Sequence, residues 1–164
     1  MAIKKIQSGF ALLIAVIFMS VMLTFGLALG SLGYKQQVLA SSSIEAQYAF
    51  YAADSALECV LYADQQLGTF LVPPAQPSSA PSIVCGDDSL RPPISDDWST
   101  LLWTITYRLP LDSNKRCADI TIYKAAPDSG EITSIFSQGY DVSCDVFDTS
   151  EGARFVSRGI NVYY

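Results

Sequence analysis

Histidine is absent from all 164 residues. That removes the commonest general base at neutral pH, and with it any Ser/His/Asp or Cys/His catalytic pair. Neither standard Gly-rich phosphate loop occurs. CxxC pairs are also missing: the four cysteines, Cys59, Cys85, Cys117 and Cys144, stand far apart. Tetrahedral zinc draws its ligands from close-spaced pairs, often with His, so a disulfide framework outside the cytoplasm is the more economical account. Basic residues are scarce after the first part of the chain. From Gly68 onward seven Lys or Arg face twelve Asp or Glu. Such a surface repels phosphates and gains nothing from counterion release, so general nucleic-acid binding is not expected. The basic group Lys115–Arg116 with Arg108 reads as solvated loop charge.

Charge is missing altogether from Ile6 to Tyr34. The apolar run opens at Phe10 and continues through about Gly33, enough at ~1.5 Å per residue to cross a hydrocarbon layer that needs ~20 residues. Lys4 and Lys5 precede it and favour a cytoplasmic N-terminus, with everything after Tyr34 outside. Three readings of this segment compete. A secretory signal has an apolar region of only ~7–15 residues before its cut site, although Val38-Leu39-Ala40 would serve as one. An uncut signal anchor explains length and orientation. A third reading uses the polar block Lys4-Lys5-Ile6-Gln7-Ser8-Gly9, which abuts the apolar run with Gly9 directly before Phe10.

Those residues, KKIQSGFALLIAVIFMSVML, resemble a type IV prepilin leader and helix. The resemblance implies cleavage by prepilin peptidase between Gly9 and Phe10 and methylation of the new N-terminus. A side-chain-free, extended backbone at Gly9 would suit that cut. It extends to Ala49-Phe50-Tyr51-Ala52-Ala53-Asp54-Ser55-Ala56-Leu57, which is similar to the AFxAAExAL-like stretch of PilX-type minor pilins. Only about the first 65 residues carry the likeness. Most major pilins have Glu at the fifth mature position, where it meets the amino group of a neighbouring subunit in the apolar core. Here that position is Ile14, a departure that favours a minor, initiating or tip subunit over a shaft subunit.

Beyond the membrane segment the helix should continue to Leu67, with Gly68 as its stop. Apolar residues recur near the 3.6 period at Ala46, Ala49–Phe50, Ala53, Leu57, Val60–Leu61 and Ala63, opposite Glu45, Gln47, Asp54, Glu58 and Gln65. Gly26, Gly30 and Gly33 are places for the helix to soften. Prolines 73, 74, 77, 81, 92 and 93 then argue for an extended surface loop. Four strands follow by alternation: Leu102–Leu109, Ala118–Tyr123, Glu131–Tyr140 and Ala153–Tyr164, with Pro110–Lys115 as a turn. Four cysteines allow three pairings. The preferred one is Cys59–Cys85, tethering the loop to the helix end, with Cys117–Cys144 joining the second strand to the residues after the third.

Acidic residues Asp141, Asp145, Asp148 and Glu151 gather within a short span and are the one candidate calcium site, without EF-hand spacing. Surface acidity explains them as well. Paired loop carboxylates with no converging group do not make a hydrolase, so no enzymatic role is expected. Trp98, Trp103 and the final tyrosines invite a cell-adhesion reading, although Trp103 in a sheet facing a helix suits the core.

The expected fold is α+β and pilin-like, a long N-terminal helix packed on an antiparallel sheet of about four strands. Its parts are a leader over 1–9, a transmembrane and filament-core helix over 10–34, an amphipathic continuation over 35–67, a Pro/Ser-rich loop over 68–97 and a β-rich head over 98–164. The expected function is a minor structural subunit in assembly, tip or initiation of a type IV pilus or a related type II secretion or DNA-uptake filament. Its partners would be other pilin or pseudopilin subunits, prepilin peptidase and, before assembly, membrane lipid. No cofactor is expected apart from the possible calcium. The location would be single-pass in the cytoplasmic membrane, then the filament. The rival is an uncleaved, membrane-anchored extracytoplasmic binding domain.

Overall fold

The computed structural model describes residues 7–70, 79–86, 89–99, 101–126, 129–130, 132–149 and 154–164, apart from the side chains of 7–9, 147 and 148. Two compact units divide the chain, Met1–Ser42 and Ser43–Tyr164. The first holds the start of α1 (Gln7–Gln65). Its apolar side chains are exposed from Phe10 to Leu39, and the helix contains an 18-residue window of mean hydropathy 2.6. Length and composition therefore suit a membrane span. Gly26, Gly30 and Gly33 do not interrupt the helix.

In the second unit the rest of α1 packs on a five-stranded antiparallel sheet. Its order is β3 (Ser95–Trp98), β4 (Leu102–Leu111), β5 (Arg116–Ala125), β6 (Ser134–Tyr140) and β7 (Ser157–Tyr163). A two-stranded sheet, β1 (Ile83–Val84) with β2 (Leu90–Arg91), and a short helix, α2 (Cys144–Thr149), complete it. The architecture is thus α+β, one long N-terminal helix packed on antiparallel sheet. The main sheet has five strands rather than about four, because β3 adds to the β4 edge with Ser95 opposite Thr106 and Trp98 opposite Trp103. The expected irregular segment over 68–97 therefore contributes three strands among its described residues, and its boundary with the head falls inside β3.

Alternation decides which face of the sheet is covered. Trp103, Ile105, Tyr107 and Leu109 of β4 are buried, with Ile120 and Ile122 of β5 and Ile135 of β6 beside them. Against them α1 sets Ala56, Leu57 and Val60. Nearer the start of this unit it presents Ala49, Ala52 and Ala53, all buried. Small residues are needed there because Gly139 of β6 lies against the helix backbone, and Ser137 Oγ donates to the Ala53 carbonyl at 2.7 Å. Phe50, expected in the packing stripe, is instead 47% exposed. The rest of the expected stripe is buried at Ala49, Ala53, Leu57, Val60 and Ala63, and Ala52 and Ala56 widen it on the flank away from Phe50, where small side chains let the helix approach β6.

Pro110 is a strand residue, not part of the turn. It pairs with Cys117 of β5 and lies beyond the end of β3, so its missing N–H breaks no ladder. The turn is Asp112 to Lys115, with φ of 51°, 55° and 64° at Asp112, Ser113 and Asn114. Asp and Asn tolerate this left-handed region better than most residues. At the other end of the unit α1 stops at Gln65. Gly68 takes φ 61°, which lets the Thr69 N–H reach back to the Ala63 carbonyl at 2.9 Å.

Candidate functional site

Three groups of residues could carry function: the start of α1, the uncovered side of α1 in the second unit, and the acidic segment around α2. Lys4 and Lys5 lie outside the described residues. Gly9 and Phe10 fall in the first turns of α1, so Gly9 is helical rather than extended. Phe10 is 69% exposed and Ile14, four residues on, is exposed on the same helix.

From Ser43 onward, α1 has two unlike sides. The sheet covers one. The other shows Ile44, Tyr48, Tyr51 and Tyr62 to solvent, with Ser55 and Glu58 between them at alternating spacings of three and four. That spacing places them in one stripe along the helix. Arg116 lies over the Tyr48 ring, 4.0 Å from its centroid, and is held by the Asp112 carboxylate.

Two disulfides brace the unit. Cys59 joins Cys85, fixing the segment after α1 to the helix; Cys117 joins Cys144, fixing α2 to the start of β5. Each closes a loop of some two dozen residues, which restricts the unfolded chain by ~3.5 kcal/mol in the entropic picture. The strap after α1 is also held through polar groups. The Asp96 carboxylate accepts from the Ala80 N–H at 2.6 Å and from Trp103 Nε1–H at 2.5 Å, and Tyr107 Oη donates to the Pro81 carbonyl. Burial and the nearby Asp96 charge push the Tyr107 phenol well above its ordinary value. Trp103 is core; Trp98 packs edge-on against it.

The acidic segment is engaged in ordinary protein contacts. Asp141 Oδ1 accepts from the Val156 N–H at 2.8 Å, and Asp145 Oδ2 accepts from Asn114 Nδ2 at 2.6 Å. Glu151 and the Asp148 side chain lie outside the described residues. Among the described residues no three carboxylates, cysteines or histidines come together to hold a metal ion. An open depression of about 420 Å³ beside α2 is lined by Arg91, Arg108, Asn114 and Asp145 among others. Its charges are mixed and Arg108 is committed to Asp119, at 2.7 and 2.9 Å.

Asp64 is a residue that periodicity does not single out. It sits in the last turn of α1 with its side chain 3% exposed, and both its oxygens accept from Lys124 Nζ, at 2.8 and 2.6 Å. Tyr164 Oη donates to the same carboxylate. Burial first, then the bond to Asp64, push the Tyr164 phenol well up. The only sequence signal was an acid on an otherwise apolar stripe. No protein-family model matches this chain, and no curated protein or solved structure matches it either.

Proposed function

We propose that this chain is a minor pilin-like subunit acting in assembly, at the tip or in initiation of a type IV pilus or a related type II secretion or DNA-uptake filament. The observation that carries the reading is the two-part surface of α1. Exposed apolar side chains run from Phe10 to Leu39, and after Ser43 an aromatic stripe remains on the side the sheet leaves bare. A hydrocarbon layer suits the first part, and other helices suit both. A helix of this kind has use for two environments in succession, the membrane and then a bundle of like subunits. The disulfides fit folding of the second unit outside the cytoplasm. The polar block before Phe10, resembling a prepilin leader, supports processing between Gly9 and Phe10 by prepilin peptidase. Ile14 favours a minor place over a shaft one.

The second reading, an uncut membrane-anchored binding domain, is favoured by one feature: Gly9 lies inside the helix rather than in an extended segment. Intact mass separates the two. In cells with prepilin peptidase the subunit is expected to begin at Phe10 with an added methyl group, and in cells without it to keep Met1–Gly9. The same uncut N-terminus in both would leave the anchored domain.

A further inference from the structure

The face of the sheet turned away from α1 is not used by the proposed function. Register lines up Thr104, Tyr123, Ser134 and Tyr163 across β4 to β7, and Thr106, Thr121, Phe136 and Asn161 in the next row. Tyr123 and Phe136 are each 36% exposed and Tyr163 is 67% exposed. Phe136 does not stand up from the sheet. Its ring carbons lie 3.0 and 3.1 Å from where a Cβ would sit on Gly159, so the ring is laid across the glycine of the neighbouring strand. Hydroxyl and amide groups stand between the rings. Thr106 and Thr121 Oγ1 are 3.4 Å apart, and Asn161 Nδ2 donates to Tyr163 Oη at 2.7 Å.

We propose that this face binds a neutral glycan chain. Sugar rings present apolar C–H faces that stack on flat aromatic surfaces, while their hydroxyls need donors and acceptors at the rim. Phe136 flattened over Gly159 offers the first, and Thr106, Thr121 and Asn161 offer the second. The three rings come from the consecutive strands β5, β6 and β7 and lie in two adjoining register rows of the same face. Charge decides against an anionic polymer. The cation of the adjoining row, Arg108, is bonded twice to Asp119, and Asp97 stands opposite Thr104 at the sheet edge. The acidic balance of the chain from Gly68 onward adds repulsion. The inference rests on the sheet face alone and holds whether or not the chain enters a filament.

The test is affinity electrophoresis of the full chain in a detergent without sugar headgroups, through gels containing dextran, galactomannan or mixed-linkage β-glucan, with heparin as the anionic comparison. At least one neutral polysaccharide is expected to slow the chain, and heparin is not. The dissociation constant for that polysaccharide should rise at least tenfold in Phe136→Ala and in Tyr163→Ala, and stay unchanged in Leu67→Ala. Tyr163 is an exposed side chain, so its variant keeps the test sound if Phe136→Ala folds poorly. Equal slowing by heparin, no slowing by any of the three, or slowing that survives both Tyr163→Ala and Tyr123→Ala would overturn the proposal. The last outcome would point to a different surface, and the second to a protein partner.

Discussion

Gly139 of β6 stands so close to Ala49 of α1 that a Cβ on the glycine would overlap the alanine's carbonyl oxygen. It would overlap the backbone nitrogen of Ala53 as well and lie 3.1 Å from the carbonyl carbon of Ala52. Three alanines and a glycine thus set how near the helix comes to the sheet, and the Ser137 bond to the Ala53 carbonyl is made at that distance.

Gly139→Ala is therefore expected to destabilise the second unit by ~3 kcal/mol, the upper end for overpacking, because the atoms in the way are backbone and cannot turn aside. Denaturant unfolding of the oxidised full chain in detergent, followed by near-ultraviolet circular dichroism, gives the number. A loss of only a few tenths would mean that helix and sheet are not so close in solution.

Asp64 and Lys124 supply the second expectation. Their side chains are 3% and 19% exposed, so removal of one leaves the other charge poorly hydrated. Asp64→Ala should cost ~3–5 kcal/mol, while the apolar pair Asp64→Leu with Lys124→Met should recover most of that. Unfolding midpoints of the single and double variants decide it. A double variant as weak as the single one would show that the Tyr164 contact, not the ion pair, holds this end of α1.

Alkaline pH should loosen the same unit. Burial, then the Asp119 charge, push the Tyr140 phenol from 10.0 up to about 12, and Tyr107 and Tyr164 are raised as well. The folded chain keeps protons that the unfolded chain gives up near pH 10, so the stabilisation is complete below that pH and is lost as pH rises through about 12. Unfolding midpoints should hold steady up to about pH 10 and fall above it. Phenolate absorbance should show a late-titrating group that merges with the rest on denaturation. A Tyr140→Phe variant should have a shallower fall, and an unchanged one would remove Tyr140 from the account.

Local patterning showed the four longer strands because their alternation is a property of neighbouring residues. Ile105, Tyr107 and Leu109 cannot face the core unless Thr104, Thr106 and Arg108 face away. β3 was not legible: Ser95-Asp96-Asp97-Trp98 has the composition of a loop. It becomes a strand through pairing with β4 and through the Asp96 bonds to Ala80 and Trp103, contacts that sequence distance hides. Pro110 misled for the opposite reason, since a turn-forming residue is harmless where the neighbouring strand has already ended. That Ala52 rather than Phe50 flanks Ala49 and Ala53 in the buried stripe depended on Gly139, 90 residues away from Ala49, and periodicity in the helix carries no trace of its partner. The aromatic face of the sheet was hidden for a similar reason, because Phe136, Tyr123 and Tyr163 become neighbours only once register is set.

Ile14 offers the last expectation and the one nearest to biological role. It is 51% exposed on α1, within the apolar stretch. In the pilins that this N-terminus resembles, a Glu at the equivalent position meets the amino group of a neighbouring subunit. If the absence of that carboxylate keeps this chain out of the shaft, Ile14→Glu should raise its copy number in sheared filaments several-fold, as counted by quantitative mass spectrometry against the major subunit. The Glu would find a cationic partner in the filament core, whereas in the membrane it stands alone and costs ~2–3 kcal/mol by insertion scales. An uncut anchor would feel only that cost. Its Ile14→Glu variant would reach the membrane less well and no filament at all, so the direction of the change in filament content separates a subunit from an anchor even where both are made in equal amounts.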